Sequence, residues 1–178
     1  MTDEAGNPVA WAVRTYKPND DYAWARYADA RDRLGVDPEA GVAAARPYVS
    51  SEVASERGAA AMIIGELVSL RLPSAAEACS ELLFQQLLIE TDRHAIDDLA
   101  VGIGKMWNTY DDTEGTILAL AGHPNPNIRY AVAQDLAFST TDRPEDAAAR
   151  AMLETLKDDP DPEVRSWAAV GLETLSIG

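Results

Sequence analysis

The sequence predicts an all-α fold, an α–α superhelix of about four helical pairs behind an N-terminal helix. Three observations carry that reading. Residues 122–136 and 158–172 superpose without a gap at a shift of 36, with Pro124 on Pro160, Pro126 on Pro162, Ile128 on Val164, Arg129 on Arg165, Ala133 on Ala169 and Leu136 on Leu172. Upstream of each, Ile117 and Leu120 fall on Leu153 and Leu156. The same step from Arg165 lands on Arg129, Arg93 and Arg57, an arginine every time. Finally, the apolar residues are mostly Ala, Leu, Val and Ile with few aromatics, a mix that favours helix because Ala and Leu lose least on entering one.

Each element has a local reason. Residues 1–18 read as an extended arm or cap, since the open end of a stacked array needs covering. Asp20 to Leu34, stopped by Gly35, forms a Tyr- and Trp-rich helix. Asp37 and Pro38 open a helix that runs to about Arg46, and Ser50 or Ser51 caps the next, to about Leu70. Ser74 and Glu77 have capping-box spacing for a helix to about Ile89. Thr91 or Asp92 caps one to about Trp107. Thr113 opens a short one to about Ala121, and Asp142 with Glu145 opens one to about Leu156. Asn125 and Asp161 are N-caps, with Pro126 and Pro162 in the first helical position, where a missing N–H costs nothing. Behind them Val164, Ala168, Leu172 and Leu175 recur at helical spacing and mark one buried stripe. After Arg57, Ala60, Ala61, Ile64 and Leu67 repeat that stripe. The Arg93 copy is degenerate, since Asp97 stands where the other copies have Ala. Gly102 and Gly104 read as close helix packing. The expected organisation is an N-terminal arm and capping helix over 1–36 followed by one continuous repeat domain over 37–178, with units at about 37–72, 73–110, 111–140 and 141–178.

These residues resemble HEAT repeats of the short bacterial, phycobilisome-lyase-like type, whose motif is roughly Asp-x-Asp/Pro-x-Val-Arg-x-x-Ala-Ala-x-x-Leu. The likeness is strong over 113–175, extends back to about 38 and leaves the first 35 residues uncovered. It implies a right-handed solenoid whose second helices line a concave face. It also implies that Arg57, Arg93, Arg129 and Arg165 are structural, the motif arginine pairing with the acidic turn of an adjacent unit. It implies a partner-binding habit and no particular activity, because this repeat serves unrelated roles.

The charge narrows the partners. The chain has 30 Asp plus Glu against 15 Lys plus Arg, a formal net charge of −15. Residues 1–36 hold 5 basic and 6 acidic side chains, and residues 37–178 hold 10 and 24, so the repeats carry nearly all the excess. Nucleic acids and anionic membranes bind through Lys and Arg, so neither is an expected partner. The N-terminus has no basic, apolar leader pattern, and the apolar run Ala59–Ile64 is too short to span a bilayer, so a cytoplasmic location is expected.

Candidate chemistry is thin. Cys79 is a lone cysteine on a helical stretch and reads as a buried structural thiol. His123 sits in a repeat turn where the next unit has Asp159. His94 with Asp97 and Asp98 is short of the three or four ligands a metal wants. The acidic clusters at 111–114 and 158–163 lack calcium-loop spacing and belong at helix starts. No cofactor, metal or catalytic set is expected. What is left is surface. The column one residue after each arginine (Gly58, His94, Tyr130, Ser166) and the column four further (Met62, Asp98, Gln134, Val170) should be exposed and vary between units. Of these, Met62, His94, Asp98, Tyr130, Gln134 and Ser166 are the candidate partner-binding residues, with Tyr130 and His94 foremost because amphipathic rings suit contact surfaces.

The expected function is therefore a non-catalytic scaffold that holds a protein partner on the concave face. Two alternatives stand beside it. One is a HEAT-like DNA glycosylase acting on alkylated bases, for which Trp107, Trp167 and an Asp would supply the parts but which needs a basic cleft. The other is an acidic decoy or inhibitor of a basic partner.

Overall fold

A computed structural model of the chain describes residues 8–16, 37–107, 120–139 and 147–177. Every regular element among them is a helix. The chain divides into two compact units, Met1–Asp111 and Asp112–Gly178, the division falling at the start of the expected third repeat. The expected helix at 20–34, most of that at 113–121, and the cap by Asp142 and Glu145 lie outside the described residues.

In the first unit the helices are α1 (Pro8–Thr15), α2 (Pro38–Ala45), α3 (Ala54–Arg71), α4 (Ala76–Ile89) and α5 (Arg93–Trp107), with short 3-10 turns at Arg46–Ser50 and Pro73–Ala75. Asp37 opens α2 by accepting from the Ala40 N–H at 3.0 Å, and Asp92 opens α5 by accepting from Ala95 N–H at 3.1 Å. The capping box expected at Ser74 and Glu77 does not form: Pro73–Ala75 is a 3-10 turn, and α4 starts at Ala76 with no side-chain cap. Of the two readings for this segment, an extended arm or a cap, residues 8–15 fit the second: they are helical, and α1 packs on α2 and α3 as a cover.

α3 is the centre of this unit. It packs against α1, α2, α4 and α5, and its residues from Gly58 to Gly65 are all buried. Eight successive residues exceed two helical turns, so this stretch has no solvent side. The composition makes that possible, since Gly58, Ala59, Ala60, Ala61 and Gly65 let the neighbours come close. A Cβ on Gly65 would lie 2.4 Å from the Gly102 carbonyl oxygen, and one on Gly102 would lie 2.6 Å from that of Ala61. The backbones of α3 and α5 therefore touch through glycine, as the reading of Gly102 anticipated.

In the second unit, α6 (Pro126–Ser139) and α8 (Pro162–Ile177) pack side by side, with α7 (Ala147–Leu156) against both. Asn125 accepts from Asn127 N–H at 3.0 Å. Asp161 accepts from Glu163 N–H at 2.8 Å and Val164 N–H at 3.3 Å. Both caps and both first-turn prolines stand where the sequence put them. Ile128, Ala133 and Leu136 of α6, Leu153 and Leu156 of α7, and Val164, Ala168 and Leu175 of α8 form the core. Here the helix approach is looser: a Cβ on Gly171 would meet the Leu153 methyl at 2.7 Å and the Ala137 Cα only at 3.1 Å.

Candidate binding face and the arginine clamps that frame it

The motif arginines come first, because what they do fixes which residues are left for recognition. Arg57 on α3 donates from Nε and Nη2 to the two carboxylate oxygens of Glu90, at 2.5 and 2.6 Å, and from Nη1 to the Ser51 carbonyl at 2.7 Å. Glu90 lies in the turn that opens α5, and its Oε1 also accepts the N–H groups of Thr91 and Asp92. Arg129 on α6 repeats the pattern toward Asp159, in the turn before α8, at 2.7 and 2.9 Å, with Nη1 on the His123 carbonyl at 2.7 Å. Asp159 in turn accepts the N–H of Asp161 at 2.8 Å. Each clamp ties the start of one helix to the turn of the next repeat and caps that turn at once.

The electrostatics follow the geometry. Burial alone would raise the Glu90 carboxyl; the Arg57 hydrogen bonds, the two turn N–H groups and the guanidinium charge together outweigh it and hold it at about 2. Asp159 is lowered, chiefly by its hydrogen bonds to Arg129. Both acids are buried, at 4% and 8% exposure, so these are enclosed ion pairs rather than surface ones. Arg57 and Arg129 thus each hold a buried turn carboxylate. Arg93 is exposed at the opening of α5, and Arg165 is exposed on α8. His123 holds the turn position of its repeat, its Nδ1 accepting from Asn125 N–H at 3.1 Å as Asp159 does from Asp161. Cys79 is buried, and burial raises its thiol.

The two columns expected to be exposed divide by unit. Gly58 and Met62 are buried, which corrects the expectation for both: they lie on the closed stretch of α3. His94 is exposed on α5. Asp98, one turn on, is half-buried, its carboxylate stacked on Gly58 so closely that a Cβ there would lie 2.3 Å from Oδ2, a distance no real Cβ contact shows. Its Oδ1 accepts from the Tyr16 hydroxyl at 2.8 Å. Burial pushes the Asp98 carboxyl up to about 6, against the lowering effect of the Tyr16 hydrogen bond. Its own burial, and then the Asp98 carboxylate beside it, push the Tyr16 hydroxyl up.

In the second unit the columns stay accessible. Tyr130 and Gln134 on α6 are half-buried, while Ser166 and Val170 on α8 are exposed, Val170 at 44%. The Tyr130 ring meets Trp167 edge-on, with centroids 6.4 Å apart and planes at 83°, which fixes an aromatic pair between the two helices. Trp167 was legible only as a candidate enzyme part, and the side chain of Trp107, its companion in that reading, lies outside the described residues. Tyr16 and Glu90 were missed. Glu90 falls 33 positions after Arg57 where Asp159 falls 30 after Arg129, so the fixed 36-residue step does not align the two acids. Nothing in the sequence pairs Tyr16 with a residue 82 positions away.

Helical hairpins tied in series by an arginine-to-turn-carboxylate clamp define a class of repeat protein, and the comparisons specify it. The family model for HEAT repeats matches residues 80–173, more than half of the chain. The chain belongs to the HEAT repeats. Among solved structures, one from work on microtubule plus end tracking by XMAP215, CLIP-170 and EB1 is similar over 89% of this chain and 75% of its own, with a TM-score of 0.62 and 19% identity. At that identity the likeness shows the fold alone. An engineered protein is similar over 95% of this chain and 79% of its own, at a TM-score of 0.48 and 18% identity. No curated protein matches significantly. No helix among the described residues is long and apolar enough to cross a membrane.

Proposed function

We propose that the protein is a non-catalytic scaffold that binds a protein partner on the face shared by α6 and α8. One observation carries this reading. Once the caps, clamps and buried stripes are accounted for, Tyr130, Gln134, Ser166 and Val170 remain accessible on the second unit, side by side in repeat register. They differ in chemistry between the two copies while the stripe beneath them repeats, which is how a repeat fold changes its recognition without changing its core. The Tyr130–Trp167 pair gives the face a rigid amphipathic anchor. His94, exposed on α5, supplies a comparable anchor on the first unit. The net charge of −15 favours a partner with a basic rim and leaves nucleic acid and anionic membrane outside the expected set. We place this scaffold in the cytoplasm.

The test is paired enrichment from the native host, with the wild-type chain and a Gln134→Ala/Ser166→Glu variant as baits at equal thermal stability. A partner held by the wild type and lost roughly tenfold or more by the variant is the expected outcome, a change of about 1.4 kcal/mol. Equal recovery by both baits would remove the assigned face.

A further inference from the structure

Three of the motif arginines are held in the same way. Nη1 of Arg57, Arg129 and Arg165 donates to the carbonyl six residues upstream, that of Ser51, His123 and Asp159, at 2.7 Å in each case. Arg129 and Arg165 add the next carbonyl, of Pro124 and Pro160, at 3.1 and 2.9 Å. With Nη1 pinned, Nε and Nη2 point outward as a fork, and on Arg57 and Arg129 that fork holds a carboxylate bidentately. On Arg165 the fork engages no carboxylate among the described residues, and the side chain is exposed.

The surface around that fork follows the same rule. Four residues after the arginine, Ala61 and Ala133 are completely buried beneath the next repeat, while Ala169 is exposed. Eight residues after it, Gly65 and Ala137 are buried and Glu173 is exposed. Val170 adds an apolar side chain at 44% exposure. So α8 carries the same docking pattern that α3 and α6 use, and none of the described residues is stacked on it.

We propose that this face of α8 accepts a helical hairpin of a partner protein whose turn carries an Asp or Glu, and that Arg165 is the receptor for that carboxylate. The occupant is specified by the two filled copies: an acidic turn over the guanidinium, a small or apolar residue over Ala169 and Val170, and a cation or small polar group opposite Glu173. A second copy of this chain fits poorly. Its turn acids Glu90 and Asp159 are already committed, and the corresponding turn positions of its other repeats are Ser51 and His123, which bring no carboxylate. This face shares Val170 with the α6/α8 face, whereas Gln134 on α6 belongs to the latter alone.

The probe is the protein's own repeat. Residues 141–178 are appended a second time after Gly178, which brings a duplicate of the Asp159 turn into reach of Arg165. The expected result is about tenfold slower amide exchange along α8 in the extended protein, the signature of a newly stacked neighbour. Changing the duplicate turn aspartate to Ala, or making Arg165→Glu, should return the exchange to its unextended rate, while Gln134→Ala should leave the protection in place. That last variant separates failure here from failure of the α6/α8 face. Unchanged exchange in the extended protein, or protection that survives loss of the duplicate carboxylate, would overturn the proposal. Light scattering of the unextended chain should show a monomer; a concentration-dependent dimer dissolved by Arg165→Glu would assign the face to a second copy and overturn the partner.

Discussion

The two units solve one stacking problem with different tolerances. In the first, α3 and α5 meet backbone to backbone through Gly65 and Gly102, α3 has no open side, and Glu90 gathers two guanidinium and two main-chain donors. In the second, Gly171 of α8 meets a Leu153 methyl of α7 and, at a wider 3.1 Å, the Ala137 backbone of α6. There Asp159 gathers two guanidinium donors and one main-chain donor, and one side of α8 is exposed. The same repeat thus yields a tightly enclosed half and an accessible half. The lesson is that recognition can reside where the clamp suffices to hold the helices and the close backbone fit is not required.

Removing a clamp should separate the units most sharply. Arg57→Ala leaves Glu90 buried without its cation and should cost about 3–5 kcal/mol, read as lost exchange protection in the first unit. Arg129→Ala should cost less, about 2–3 kcal/mol and confined to the second unit, because the Asp159 carboxylate is less deeply buried than that of Glu90. Equal costs would mean that the two main-chain donors left on Glu90 offset its deeper burial.

Alanine at the crossing glycines gives the next contrast. Gly65→Ala drives a methyl into the Gly102 backbone, which has no rotamer to yield, and should destabilise by about 2–3 kcal/mol. Gly171→Ala meets the end of Leu153, which can turn aside, while gaining up to about 1 kcal/mol of helix propensity, so its net effect should lie within about 1 kcal/mol of zero. Urea midpoints of the two variants decide this.

Acidity should act on the first unit through two acids of opposite sense, and differently on the second. Asp98 has a folded value of about 6, above its ordinary 3.8. Its protonated form is the one the fold favours, so stability rises as pH falls through about 6 and the gain is complete below the unfolded value. Glu90, held at about 2, contributes stability above its ordinary 4.5 that is lost as pH falls toward 2. Of these two acids, Asp98 alone titrates between about pH 7.5 and about pH 5, so the first unit should gain about 1–2 kcal/mol from it. Asp159 is lowered, so the second unit should gain nothing from it over that range. Asp98→Asn should abolish the dependence; a first unit equally stable at both pH values would contradict the enclosure of Asp98.

The smallest expected effect tests the cover. Tyr16→Phe deletes the hydroxyl donor to Asp98 and should cost about 1 kcal/mol above pH 6, where the carboxylate is charged, and little at about pH 4. It should also move the carboxyl further up, a shift that carbon NMR of Asp98 would register.

Much of this was legible in advance. The 36-residue step named the Asn125 and Asp161 caps, the first-turn prolines and most of the buried stripe, Leu172 being only half-buried. Of its four arginines, Arg57 and Arg129 hold turn carboxylates, while Arg93 and Arg165 lie exposed. The misses have a common cause. Met62 and Gly58 occupy the same repeat positions as Gln134 and Tyr130, and periodicity assigns them the same exposure. What buries them is α3's place at the centre of four neighbours, which its small residues permit but the repeat spacing does not announce.

The sequence by itself determined the helices, their register and the recurring arginine, because caps, prolines and apolar spacing act within one or two turns of chain. Only the tertiary structure decided which acid each arginine holds, that Tyr16 reaches Asp98, and which copy of the repeat faces solvent. Those outcomes depend on which helix lies across another, and a side chain's neighbours across a helix crossing leave no spacing in the chain that could announce them.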